Sequence, residues 1–268
     1  MTRTEEEHPP AVLLAADCES HIATLTLNRP ESLNAISRQL AAELLATCGV
    51  LAGRNDIRIV IVTGAGQRAF CAGADLKERR MLSPAERTKH TAAIEAAAEA
   101  LAALPMPTIA AVNGFALAGG AELAIACDLR VASADATFGF PEVKIGIFPG
   151  AGGALRLPRI VGSGAARDLL FTGRQLTAEE AYRLGLVDRL VPADSVVESA
   201  NQLAASIAAN APLAVRAVKR ALEESFGTPI DDARRVVNAL RATLDNTADY
   251  EEGLAAFAAR RPPRFTGR

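Results

Sequence analysis

Two carboxylic acids in this chain stand where an ionised group is hard to keep. Glu122 is surrounded by Ala121, Leu123, Ala124, Ile125 and Ala126, and Glu142 follows Pro141 between Phe138, Phe140, Val143 and Ile145. A carboxylate taken out of water without partners is strongly disfavoured. Each acid therefore needs solvent, a structural partner or a chemical task. Brought together in an apolar pocket, the pair would feel desolvation and mutual repulsion, which raise one pKa and prepare it to exchange a proton near neutral pH. Taken singly, each keeps a plainer reading: Glu122 as a solvent-facing or satisfied structural acid, Glu142 as an acid drawn to the positive start of a helix.

Two further stretches offer backbone rather than side-chain chemistry. Ala69-Phe70-Cys71-Ala72-Gly73-Ala74-Asp75-Leu76-Lys77 is rich in small residues, so its chain can approach a ligand closely and present N–H groups to a carbonyl oxygen. Alone it also reads as an ordinary structural turn. Asn113-Gly114-Phe115-Ala116-Leu117-Ala118-Gly119-Gly120 leads from a turn into an apolar helix that contains Glu122. The first N–H groups of a helix lack intrahelical partners and suit an oxyanion. The GK[ST] ending of a P-loop and the G-x-G-x-x-G dinucleotide spacing are both absent.

The elements that must carry these loops are legible in outline. Ala11–Ala16 and Ile22–Leu27 flank a polar break and predict a hairpin. Ser37–Leu51 has helical spacing with Ser37 as its start, and Ile57–Val62 reads as a buried strand. Ser83–Leu104 opens with Ser-Pro-Ala-Glu, an N-terminal helix signature, and ends before Pro105 and Pro107. Thr108–Val112, Leu129–Ala132 and Thr137–Phe140 predict short strands, with a helix over Gly119–Cys127 between them. From Gly153 onward the pattern is mostly helical, and Ser195–Arg260 must fold back on the core or meet another subunit to bury its apolar stripes.

Composition narrows the class. The chain has 268 residues, half of them hydrophobic, enough for one substantial core with an appended helical segment. A net charge of −2 offers no broad attraction for nucleic acid. The opening MTRTEEEHPP is polar and acidic, unlike a secretory or transit leader, and reads as a frayed tail; with no bilayer-length apolar run, a cytoplasmic protein without membrane contact is expected. Cys18, Cys48, Cys71 and Cys127 lack ligand spacing, and three of them lie in apolar segments as small core residues. His8 falls in the tail, His21 opens a strand and His90 lies on a helix expected to be exposed, so no metal site is expected.

The three loops together resemble the enoyl-CoA hydratase/isomerase (crotonase) superfamily, and the likeness continues through Leu157-Pro158-Arg159, Thr172-Gly173 and Ala181–Asp188. The resemblance implies an α/β fold, a spiral core of ββα units over residues 1–194 followed by a C-terminal helical oligomerisation segment over 195–268, assembled as a homotrimer or a hexamer of paired trimers. It implies an acyl-CoA thioester as substrate, with coenzyme A as part of the substrate and no separate cofactor. Ala74 and Gly119 match the family's oxyanion-hole donors, and Glu122 and Glu142 match its paired glutamates. Coenzyme A recognition is carried over to Asn28–Ala35, Ala72, Asp75 and Leu76, with Phe257, Arg260 and Arg261 as counterparts of residues supplied by a neighbouring subunit.

On this reading the chain adds water reversibly across the C2=C3 bond of a trans-2-enoyl-CoA, giving a 3-hydroxyacyl-CoA. One departure is Ala118, where many hydratases have the first glycine of a Gly-Gly-Gly run. Leu76-Lys77-Glu78-Arg79 also resembles the methylglutaconyl-CoA hydratase subgroup. The nearest alternative is a Δ3,Δ2-enoyl-CoA isomerase using the same oxyanion hole without water; two glutamates favour hydration. A non-catalytic acyl-CoA- or RNA-binding protein ranks lower, since Ser37–Leu51 has Arg38 as its one basic residue and the chain lacks interleaved basic and aromatic positions.

Overall fold

In the computed structural model, residues 9–268 are described. His8 and most of the stretch read as a tail lie outside them. The predicted hairpin is present as β1 (Val12–Asp17) and β2 (Ile22–Leu27), paired antiparallel. Helix α1 (Arg38–Ala52) starts at Ser37, whose hydroxyl accepts the Leu40 N–H at 3.1 Å. Strand β3 (Ile59–Gly64) follows, then β4 (Ala69–Cys71), a short α2 (Leu76–Met81) and the long α3 (Pro84–Ala102). Ser83 and Glu86 form the reciprocal capping box that the sequence announces.

Next come β5 (Thr108–Val112), β6 (Phe115–Leu117), α4 (Gly119–Ala126), β7 (Leu129–Ser133) and β8 (Thr137–Gly139). After a 3-10 turn at Pro141–Ile145, the chain continues through α5 (Gly153–Thr172), β9 (Gln175–Thr177), α6 (Ala178–Arg183) and β10 (Arg189–Val191). Four helices close it: α7 (Val196–Ala208), α8 (Pro212–Ser225), α9 (Ile230–Ala242) and α10 (Ala248–Ala259).

Two sheets result. The larger has the order β1-β2-β3-β5-β7-β10, parallel beyond the first hairpin, and the smaller has the order β4-β6-β8-β9. At β3 the larger sheet is covered on both faces, which is why Ile59-Val60-Ile61-Val62 reads as a continuous apolar run instead of an alternating one. Val60, Val62, Ala110 and Val112 face the main core with α1, α3 and α4. Ile59, Ile61, Ile109 and Val131 face the opposite way, where Val196, Ala200 and Ala204 of α7 cover them. Helix α7 thus folds back on the core, one of the two fates expected for the C-terminal stretch.

Two expectations need correction. The smaller sheet was read only in part: β8 lies within the predicted Thr137–Phe140 strand, but Ala69–Cys71 and Phe115–Leu117 fall inside stretches read as loops, because three small or mixed residues carry no period-2 signal. His90, expected on an exposed helix face, is 1% exposed. It lies on the stripe of α3 that also buries Ile94, Ala97, Ala98 and Leu101. Cys48, Cys71 and Cys127 are buried and Cys18 is exposed, matching the reading of three of the four as core residues. Among the described residues, no helix is long and apolar enough to cross a membrane.

Candidate active site

The three chemistry-bearing loops leave the same ends of three adjacent parallel strands. Strand β4 runs into Ala72-Gly73-Ala74, β6 into Ala118-Gly119, and β8 into Phe140-Pro141-Glu142; β4 pairs with β6 and β6 with β8, all parallel. The C-terminal ends of parallel strands are where loops converge on a ligand in α/β proteins. The small sheet, of which sequence reading found only β8, is what gathers the site.

The first loop is held by Ile36. Its N–H donates to the Gly73 carbonyl at 2.7 Å, and its carbonyl accepts the Asp75 N–H at 3.0 Å, a parallel bridge centred on Ala74. In such a bridge the flanking residues supply the bonds, so the central residue's own N–H points the other way. Ala74 therefore presents its amide away from Ile36. Gly73 has φ +91°, and a Cβ built on it would fall 2.8 Å from the Ala118 Cβ and 3.3 Å from the Gly119 nitrogen. This contact sets the Ala74 loop against the start of α4, where Gly119 is the first helical residue and has no intrahelical acceptor for its N–H. Gly120 is required by close approach: a Cβ there would meet the Cys71 carbonyl oxygen at 2.0 Å. Ala118, preceding the two glycines, has φ 49° and ψ −127°, a conformation that a side chain strains.

Glu122 lies in the first turn of α4 and is 3% exposed. Its Oε1 accepts the Gly153 N–H at 2.8 Å. Gly153 opens α5, so the positive end of a second helix holds this carboxylate. Burial dominates nonetheless and pushes the Glu122 pKa up to about 7, partly opposed by the Gly153 N–H and reinforced by the charge of Glu142. Glu142 sits on the 3-10 turn after β8, is 4% exposed, and has both carboxylate oxygens unpartnered. Burial raises its pKa as well. The structure thus brings together two buried acids with shifted pKa values and two N–H groups without backbone partners. Sequence reading missed Gly153 as the partner of Glu122; the signal was the Pro149-Gly150-Ala151-Gly152-Gly153 run, which marks a loop entering a helix.

The remaining candidate residues fall into two groups. Asn34 is fully buried and ties the Asn28–Ala35 loop to β4 through Nδ2 bonds to the Ala65 and Ala69 carbonyls at 3.0 and 2.8 Å. Ala72 donates its N–H to the Leu33 carbonyl at 3.0 Å, and the Ala35 carbonyl accepts from Arg29 Nη1 at 2.6 Å. The Asp75 carboxylate is committed internally, to Arg29 at 2.9 Å and to the Lys77 and Glu78 N–H groups that start α2. Leu76 is half exposed beside it. Ala35, Ala72, Asp75 and Leu76 therefore border the Ala74 loop. Phe257 and Arg260 do not: they lie at the end of α10, where Phe257 is 87% exposed and Arg260 is the left-handed residue that ends the helix. Among the described residues no group of His, Cys, Asp and Glu is arranged to hold a metal ion.

The chain is similar to known proteins over nearly its whole length. The family model described as enoyl-CoA hydratase/isomerase matches residues 17–268. The chain is 39% identical to the short-chain-enoyl-CoA hydratase of Clostridium acetobutylicum, over 91% of this chain and 93% of that protein. It is 38% identical to the crotonyl-CoA hydratase of Syntrophomonas wolfei subsp. wolfei, over 92% and 95% respectively. The crystal structure of enoyl-CoA hydratase from Bacillus anthracis superposes with a TM-score of 0.93 at 38% identity, covering 96% of this chain and all of that one. With the matched region spanning nearly the whole chain and including every loop of the site, this protein belongs to the enoyl-CoA hydratase/isomerase family.

Proposed function

We propose that this protein is an enoyl-CoA hydratase that adds water across the C2=C3 bond of a trans-2-enoyl-CoA, with Glu122 and Glu142 as its acid/base pair and the Ala74 and Gly119 N–H groups as its oxyanion hole. The observation that carries this reading is the unpartnered, buried carboxyl of Glu142 facing the raised pKa of Glu122. A buried acid with no hydrogen-bond partner is destabilising in itself, which points to a partner supplied by bound substrate or water.

The chemistry follows from the geometry. The thioester oxygen docks on the Ala74 and Gly119 amides, which bind the enolate more strongly than the neutral carbonyl and so lower the barrier. Glu122, ionised, orients a water and takes one of its protons as the oxygen bonds to C3. The electron pair of the double bond moves toward the thioester oxygen, and Glu142, protonated, delivers its proton to C2. The enolate collapses to the neutral 3-hydroxyacyl-CoA. Glu122 ends protonated and Glu142 ionised, so one proton must pass between them or through solvent before the next turnover. Coenzyme A is part of the substrate, and every proton transfer is assigned to residues of this chain.

For coenzyme A itself, the Ala35 and Ala72 backbone, with Asp75 and Leu76 beside them, forms the near wall. Phe257 and Arg260 would serve the site of a neighbouring copy. In support, Val218, Leu222, Phe226, Ile230, Leu254 and Phe257 all leave large apolar side chains exposed on the C-terminal helices, as expected of a surface that a trimer or hexamer covers. The test is incubation with crotonyl-CoA, with products identified by mass. 3-Hydroxybutyryl-CoA from the natural protein, lost in Glu122→Gln and Glu142→Gln, supports hydration; a relocated double bond without water uptake would instead identify an isomerase.

A further inference from the structure

Helix α3 reaches both halves of the oxyanion hole through side chains one turn apart. His90 places Nε2 3.0 Å from the Ile36 carbonyl oxygen, and its Nδ1 has no partner. A carbonyl oxygen only accepts, so Nε2 carries the hydrogen and Nδ1 is a bare acceptor. Burial holds the His90 pKa below its ordinary value, in keeping with a neutral ring. The same Ile36 carbonyl accepts the Asp75 N–H at 3.0 Å, and the Ile36 N–H donates to Gly73 at 2.7 Å; these bonds straddle Ala74. Four residues further along α3, Ile94 lies against the other donor: a Cβ on Gly119 would sit 3.8 Å from Ile94 Cγ2 and 3.2 Å from Ile36 Cδ1.

We propose that His90 is a positioning residue: its Nε2–H bond to the Ile36 carbonyl fixes the Ile36–Ala74 pairing and thereby aims the Ala74 amide relative to that of Gly119. The inference rests on Ala74 and Gly119 being the thioester-binding pair. A leucine would fill this apolar stripe without leaving an orphan acceptor, and a ring used at one nitrogen only is a poor core filler. What the imidazole adds is a second, directional bond on the Ile36 carbonyl, one of the two that bracket Ala74. The oxyanion hole acts only if its donors are held close to where the charge develops, and small displacements there lower the rate far more than they weaken ground-state binding.

The test compares His90→Leu with His90→Gln in crotonyl-CoA hydration, recording kcat, KM and Tm. Glutamine can place an N–H on the same carbonyl; leucine cannot. His90→Leu is expected to lower kcat about 10-fold with KM changed by less than about 2-fold, and His90→Gln to recover most of the loss. An unchanged kcat in His90→Leu, or equal kcat losses in both variants, overturns the proposal and leaves His90 a core histidine. Where His90→Leu does not fold, nitrogen NMR of the natural protein decides: a neutral Nε2–H ring is expected, and an Nδ1–H or doubly protonated ring at neutral pH contradicts the proposal. Absence of hydration by the natural protein would sink the hydratase reading instead, while the tautomer would still report on His90.

Discussion

The two sheets of this molecule are built to opposite specifications. In the larger, Leu25, Leu27, Val60, Val62, Ile109 and Val112 are fully buried, and the central strands β2, β3 and β5 pair in register over four to six residues. In the smaller, the strands are three residues long, and their ends carry a strained Ala118, a buried Glu122 and an unpartnered Glu142. The central strands of one sheet follow the rules that make a core; the other breaks several within a few residues of one another. Local violations held in place by a well-packed neighbour are the pattern of a reactive site. The difference teaches that stability and chemistry are separable here, and substitutions can show it.

The largest effect is expected from Glu122→Gln. Its loss as a base should lower hydration about 10³-fold, read from initial rates with crotonyl-CoA. Rates of the natural protein should rise as pH increases through the neutral range and Glu122 ionises, on a limb that belongs to the coupled pair of acids rather than to one of them. The opposite signature is expected from Leu25→Ala in the larger sheet. About 3 kcal/mol of stability should go, seen in chemical denaturation, while kcat per folded molecule stays within about 2-fold.

The same Glu122→Gln variant sharpens the contrast through its stability. Burial raises the folded pKa of Glu122 from 4.5 to about 7, so the folded state binds the proton more tightly than the unfolded chain. The favourable contribution of the protonated form is complete below the unfolded pKa and is lost as pH rises through about 7. Gln keeps an acceptor for Gly153 without the charge, so at pH 8 the variant should be more stable than the natural protein by about 3 kcal/mol, a gap that narrows as pH falls through 7 and is closed below 4.5. Equal stability at both pH values would break the account of a desolvated acid. Smallest is Ala118→Gly: relief of the strained φ outweighs the added freedom of the unfolded chain, for a gain of about 1 kcal/mol in denaturant titration.

What could be read from the sequence follows the same division. The hairpin, the Thr108–Val112 strand, the Ser83–Glu86 cap and the helix around Glu122 were all legible, because long periodic runs and caps encode local structure. The acids were legible as anomalies, polar residues in apolar surroundings. Of the smaller sheet only β8 was, within Thr137–Phe140; Ala69–Cys71 and Phe115–Leu117 are too short to show a period and owe their strand geometry to tertiary pairing. His90 was misjudged because the helix is alanine-rich on all sides, so its buried stripe barely differs from its exposed one. The Glu122–Gly153 bond joins positions far apart in sequence; the Pro149–Gly153 run marks a helix start there but does not say which acid it meets.

The most direct test of the separation is kcat and Tm measured on one preparation of Glu142→Gln. An unpartnered buried acid kept for chemistry predicts a loss of hydration of about 10³-fold with a Tm equal to or above that of the natural protein. Retained hydration, or a fall in Tm like that of Leu25→Ala, would show that Glu142 serves the fold and contradict the account.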